Sequence, residues 1–143
     1  IVFLNGGMGL ENKINNNIDI INAIQSAIKD DRITPYFQGI VDNKTKKIVK
    51  YEALIRLIKR NGEVLSPFFF LDASKKAKSY QELTRIMITK AFDAFKYVDY
   101  DFSINLTLSD MRSKKTMSVL YDNLEKCGCG KRLILEIVES EGI

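Results

Sequence analysis

An α/β fold, with an antiparallel hairpin leading into parallel strands, is what the order of hydrophobic patterns predicts. Two strand-like runs, residues 33–41 and 48–58, are separated only by the polar turn 42–46, a spacing that implies antiparallel pairing. Beyond them helical and alternating patterns take turns, over 80–98, 100–108, 117–127 and 133–138. Strands joined through intervening helices run parallel. The composition allows a buried core, with 45% hydrophobic and only 28% charged residues among 143.

Each element has its own signal. Residues 5–17 are rich in Gly and Asn and read as a connector. Ile18, Ile21, Ile24, Ala27 and Ile28 recur at helical spacing, so a helix is expected over 18–31, stopped by the charged Asp30-Asp31-Arg32 and by Pro35. The run ITPYFQGIV, residues 33–41, is β-branched and aromatic, as strands are. Residues 48–58, IVKYEALIRLI, form the second strand. Asn61-Gly62 marks a turn, and Ser66-Pro67 can open a short helix over 68–76. Leu83, Ile86, Met87, Ala91, Ala94 and Phe95 line one face of a long amphipathic helix. The helix at 117–127 closes at Gly128 or Gly130.

Several function classes fall away on composition. There is no histidine, which removes imidazole bases, His metal ligands and Ser-His-Asp triads. Cys127 and Cys129 stand as C-x-C, neither a zinc ribbon nor a C-x-x-C redox motif, and read as two reduced cytosolic thiols near a turn. The 22 Lys and Arg against 18 Asp and Glu give a net charge of +4. That suits an anionic ligand but is too scattered for a nucleic-acid polymer. No run reaches the 18 or so apolar residues of a membrane helix. The first residues lack an initiator Met and a signal-peptide pattern, so the sequence is expected to be a piece of a longer chain.

Parity places the candidate chemistry. In the second strand Val49, Tyr51, Ala53, Ile55 and Leu57 share an apolar face, and Lys50, Glu52, Leu54 and Arg56 share the other. In the third strand Phe102, Ile104, Leu106 and Leu108 oppose Asp101, Ser103, Asn105 and Thr107. Asn is disfavoured within strands, so Asn105 asks for a reason; an exposed amide on a solvated face is the plain one. The run 133–138 is apolar on both faces except for Glu136, as in a central parallel strand. A carboxylate there must be paired, protonated or metal-bound. Glu52, Asn105 and Glu136 together form an all-oxygen set, which favours Mg²⁺ or Mn²⁺ over zinc. Arg56 could clamp a phosphate as a bidentate donor.

These residues meet a known family at Tyr51-Glu52-Ala53-Leu54-Ile55-Arg56. The sequence resembles the EAL domain, the bacterial phosphodiesterase of cyclic di-guanylate (cyclic di-GMP). Four further segments are similar in order: Pro35 to Asp42, Gly62 to Phe70, Ser103 to Thr107, and Leu135 to Glu139. The resemblance implies a partial, modified TIM (β/α)8 barrel whose first strand is antiparallel to the rest. It also implies an active site at the C-terminal ends of the strands. By position, Glu52, Asn105 and Glu136 match the family's metal ligands, with Glu52 also catalytic. Arg56 matches a residue near the substrate phosphate, with Leu54 and Gln38 on the same substrate-binding side. Glu139 matches a glutamate bracing a catalytic loop. The implied reaction is Mg²⁺- or Mn²⁺-dependent hydrolysis to linear pGpG in the bacterial cytoplasm.

Three departures qualify the match. Gly39 stands where Pro is usual, and Ser74 where an Ala-Glu pair is usual. The family's Asp-Asp-Phe-Gly motif, later Lys and second-half Glu have no counterpart in these residues. Such barrels run to about 250 residues. The expected organisation is therefore a seam after an upstream GGDEF-like domain over 1–17, a linker helix over 18–32, and the N-terminal half of an EAL domain over 33–143. That half is expected to be inactive alone and to self-associate through its exposed strand edges. A non-catalytic cyclic di-GMP-binding or protein-interaction module is the other function open to it.

Overall fold

The computed structural model of the chain describes residues 17–138. Helix α1 (Asn17–Lys29) leads into the hairpin of β1 (Ile33–Val41) and β2 (Ile48–Ile58). Both strands have the expected bounds. Asp42 makes the turn: its Oδ1 accepts from the backbone N–H of Lys44 (2.7 Å) and Thr45 (3.1 Å). Lys46 takes the left-handed conformation (φ 61°) that returns the chain. Gly39, opposite Tyr51, has a packing role, since a Cβ there would press on Ile48 Cδ1 at 3.0 Å.

The two-residue strand β3 (Val64–Leu65) adds to the end of β2. A 3-10 turn over Pro67–Phe69 and the short helix α2 (Leu71–Lys76) follow. Ser74, the departure noted above, is fully buried and donates its hydroxyl to Leu71 O at 2.6 Å. Helix α3 (Tyr80–Phe95) buries Leu83, Met87, Ile88, Ala91, Phe92 and Phe95 at helical spacing. It ends before the expected Val98, and Arg132 ties down the chain that leaves it, donating to Phe95 O at the helix end and to Val98 O and Tyr100 O beyond it.

Strand β4 (Asp101–Leu106) is shorter than the 100–108 pattern suggests. The physical reason is a capping box. Thr107 Oγ1 accepts from Asp110 N (3.1 Å) while Asp110 Oδ2 accepts from Thr107 N (2.9 Å), which starts helix α4 (Leu108–Arg112). Ser113 then caps α5 (Lys114–Cys127), which closes at the left-handed Gly128 (φ 64°). A 3-10 turn over Gly130–Arg132 delivers β5 (Leu133–Ile137).

The strand order is β1-β2-β4-β5, with β1 antiparallel to β2 and the pairs β2–β4 and β4–β5 parallel. Pro35 is tolerated because β1 lies at the edge of the sheet among the described residues. The helices cover one face. There Phe102 stacks on Phe95 (4.9 Å between ring centroids) and meets Phe92 edge-on (5.5 Å). A second core gathers Ile24 and Ala27 of α1 with Ile33, Leu57, Phe70 and Leu83.

Two further expectations are corrected. Cys127 and Cys129 are joined by a disulfide rather than standing as reduced thiols; the left-handed Gly128 between them brings their Cα atoms to 5.1 Å. Strand β5 is not covered on both sides. It has one strand neighbour among the described residues, and Leu135 (39% exposed) and Ile137 (50%) are open on the helix side. An apolar run shows that a strand can be buried, not that its neighbours are present. Residues 1–16 and 139–143, Glu139 among them, lie outside the described residues.

Candidate functional site

The face of the sheet away from the helices collects the polar positions. Register sets Gln38 beside Glu52, Glu52 beside Ser103, and Asn105 beside Glu136. Side chains on laterally paired positions share a face, so four strands present Gln38, Glu52, Asn105 and Glu136 on one face, with Asn105 and Glu136 two residues further along the sheet than Gln38 and Glu52. Strand parity in the sequence groups Glu52, Asn105 and Glu136, and these three do share a face; Gln38, named through the family resemblance, joins them from β1.

Within the row, Asn105 Nδ2 donates to Glu52 Oε2 at 3.3 Å. The other amide atom, Asn105 Oδ1, is buried and has no hydrogen-bond partner; the same holds for Ser103 Oγ. Unpartnered buried oxygens are uncommon, because each forgoes its bonds to water. Glu136 is ion-paired: Lys50 Nζ lies 3.2 Å from its Oε1, and both side chains are about one-third exposed. Of the three options that the sequence left open for this carboxylate, pairing is the one seen.

Lys50 was missed as a site residue. The signal was available, since Lys50 shares the face of Glu52 by parity. Its partner lies 86 residues away, however, and only the strand order brings them together.

Arg56 lies one turn of the pleat beyond Leu54. Its guanidinium donates to Ile55 O (2.7 Å) and sits over the Tyr36 ring at 5.6 Å. Its fixed position owes much to that ring. A cleft of about 150 Å³ is lined by Leu54, Asn105, Val138, Tyr80, Leu83 and Pro67 among others; Arg56 does not line it. Asn105 therefore joins the oxygen row to the cleft. Gln38 is exposed at the β1 edge.

The donor set suits a hard cation on chemical grounds. Glu52, Asn105 and Glu136 offer oxygen only, and the orphaned Asn105 Oδ1 is an acceptor in want of a partner. No group of three or more His, Cys, Asp or Glu side chains gathers among the described residues, so a cation here would keep several waters. Among the described residues no helix is long and apolar enough to cross a membrane.

Comparison with known proteins bears on what this arrangement serves. The family model for the EAL domain matches residues 21–143. The chain is 30% identical over 126 residues to the probable cyclic di-GMP phosphodiesterase PdeB of Escherichia coli (strain K12), covering 84% of this chain and 24% of that protein. The Xanthomonas citri FimX EAL domain in complex with c-diGMP superposes with a TM-score of 0.76 at 18% identity, covering 92% of this chain and 53% of that one. An EAL domain protein of Listeria monocytogenes EGD-e gives a TM-score of 0.64 at 26% identity, covering 84% and 49%. The chain spans about a quarter of that curated relative and about half of the two solved chains.

Proposed function

The chain belongs to the EAL domain family, and on that premise we propose that it is part of a cyclic di-GMP phosphodiesterase, the part that carries the first row of oxygen ligands. Glu52, Asn105 and Glu136 would hold Mg²⁺ or Mn²⁺, and Arg56, Leu54 and Gln38 would meet the dinucleotide. The observation that carries the reading is Asn105: its Nδ2 is committed to Glu52, while its buried Oδ1 faces no donor. Such a cation, when bound, supplies charge stabilisation at the phosphoryl group and a more acidic water.

The chain's own residues do the rest. Asn105 fixes the Glu52 carboxylate through a bond to a charged acceptor. The Arg56 guanidinium, steadied on Tyr36, offers two parallel N–H donors to one phosphate. Leu54 gives the cleft an apolar wall beside the polar row. Water adds to one phosphorus and the P–O bond to the ribose breaks, which opens the ring to linear pGpG. Glu139 keeps the loop-bracing role that the family resemblance gives it.

The same reading assigns residues 1–17 to a seam after a GGDEF-like domain, 18–32 to a linker helix and 33–143 to the N-terminal half of the EAL domain, in the cytoplasm. It holds that these residues alone do not turn over and that they self-associate through their strand edges. A second reading, a binding module without catalysis, is favoured by one observation: Lys50 already neutralises Glu136.

The test is hydrolysis of cyclic di-GMP with Mg²⁺ or Mn²⁺, read by chromatography. The chain alone gives no pGpG; the protein it comes from does, and loses the activity on Glu52→Ala. Native-rate turnover by the chain alone would refute the inactivity. A parent protein that binds the dinucleotide without cleaving it moves the assignment to the binding module. Sedimentation that stays monomeric at all concentrations removes the self-association.

A further inference from the structure

Resting on the cation reading above, we propose that Lys50 is a built-in counter-ion of the oxygen row, and that its ammonium competes with a divalent cation for Glu136. Four observations lead there. The nearest carboxylate in register with Lys50 is Asp101, directly beside it on β4. Yet the Lys50 ammonium pairs with Glu136 instead, at 3.2 Å. To do so it crosses β4 and reaches along the sheet, since β2 and β5 lie two strand spacings apart, about 10 Å, and Glu136 is in register with Asn105, four residues beyond Asp101. That path lies over the strand that carries two of the three buried, unpartnered side-chain oxygens among the described residues, Ser103 Oγ and Asn105 Oδ1.

Electrostatics makes the choice reasonable. Glu52 and Glu136 are brought to one face with no other cation paired to either among the described residues. A single ammonium lessens the repulsion between them. A dication bonded to Glu136 must displace that ammonium or sit near it. At about 6 Å in a water-like dielectric, a charge of one repels a charge of two enough to weaken binding roughly tenfold. Lys50 therefore sets how much divalent cation the row requires, as a positioning residue acting through Glu136.

The experiment is Mn²⁺ binding to the wild-type chain, Lys50→Met and Lys50→Arg, followed by loss of the free-ion electron paramagnetic resonance signal. The same three proteins are melted with and without Mn²⁺. Competition predicts that Lys50→Met binds Mn²⁺ about tenfold more tightly and Lys50→Arg near wild type. It also predicts that Lys50→Met melts lower than wild type without Mn²⁺ and recovers on adding it. Equal affinities across the set overturn the competition and leave the cation site standing. Weaker binding by Lys50→Met also overturns it and makes Lys50 a support for the site. If none of the three binds Mn²⁺, both this inference and the cation reading fail. Should Lys50→Met not fold, Lys50→Gln gives the same comparison with a side chain of similar length.

Discussion

The two faces of one sheet are built from the same strands and do opposite work. On the helix side Phe102, Ile104 and Leu106 are fully buried, and their neighbours are rings and aliphatic chains. One residue along, Ser103 and Asn105 keep polar atoms without partners, and Lys50 and Glu136 remain partly open. Alternation by two therefore separates what holds the fold from what is left unsatisfied for a ligand. The lesson is that a substitution should cost stability on one face and binding on the other.

Phe102→Ala should break this division most visibly. It leaves a void between Phe92 and Phe95 and should cost about 3–5 kcal/mol, measured by urea denaturation. Asn105→Ala, three residues along the same strand, should cost far less. Equal losses would mean that the faces do not differ as described.

Thr107→Ala probes the point where β4 leaves the sheet. The hydroxyl that accepts from Asp110 N is lost, at a cost of about 1 kcal/mol in the same assay. A neutral result would show that α4 starts without its capping box.

Glu52→Gln sharpens the comparison from the polar side. One hydrogen bond from Asn105 is weakened, so stability should fall by no more than about 1 kcal/mol. Mn²⁺ binding should nevertheless vanish. A large stability loss with binding intact would make Glu52 a structural residue. Glu136→Gln should be smaller still in stability, below about 1 kcal/mol, because its pair with Lys50 is partly solvated.

Much of this could be read in the sequence, for reasons that differ by residue. The bounds of β1 and β2 followed from alternation interrupted by a polar turn, and the grouping of Glu52 with Asn105 followed from parity. What escaped was decided at longer range or by competing local bonds. The end of β4 moved because the Thr107–Asp110 capping box outbids two more residues of strand. The partner of Glu136 required the order of three strands. The openness of β5 depends on which elements flank it, and an apolar run carries no record of that. The Cys127–Cys129 link depends on a left-handed glycine, a conformation that C-x-C spacing does not specify.

The smallest predicted effect comes from outside both faces and acts as their control. The hydrogen bond from Arg32 holds the Asp30 carboxyl below its ordinary value of 3.8, and Arg60 adds to it. The contacts are 3.3 Å and 3.4 Å, at the surface between α1 and the end of β2. A carboxyl lowered by folding adds stability above its unfolded value, and that contribution is lost as pH falls through the folded value. The difference in melting temperature between wild type and Asp30→Asn should therefore be steady from neutral pH to about pH 5. It should close below the ordinary carboxylate range. Since Asp30 touches neither Lys50 nor Glu136, the substitution should leave Mn²⁺ binding at neutral pH unchanged. A difference that persists undiminished at the lowest pH would mean that the Asp30 side chain supports α1 by packing and not through its charge.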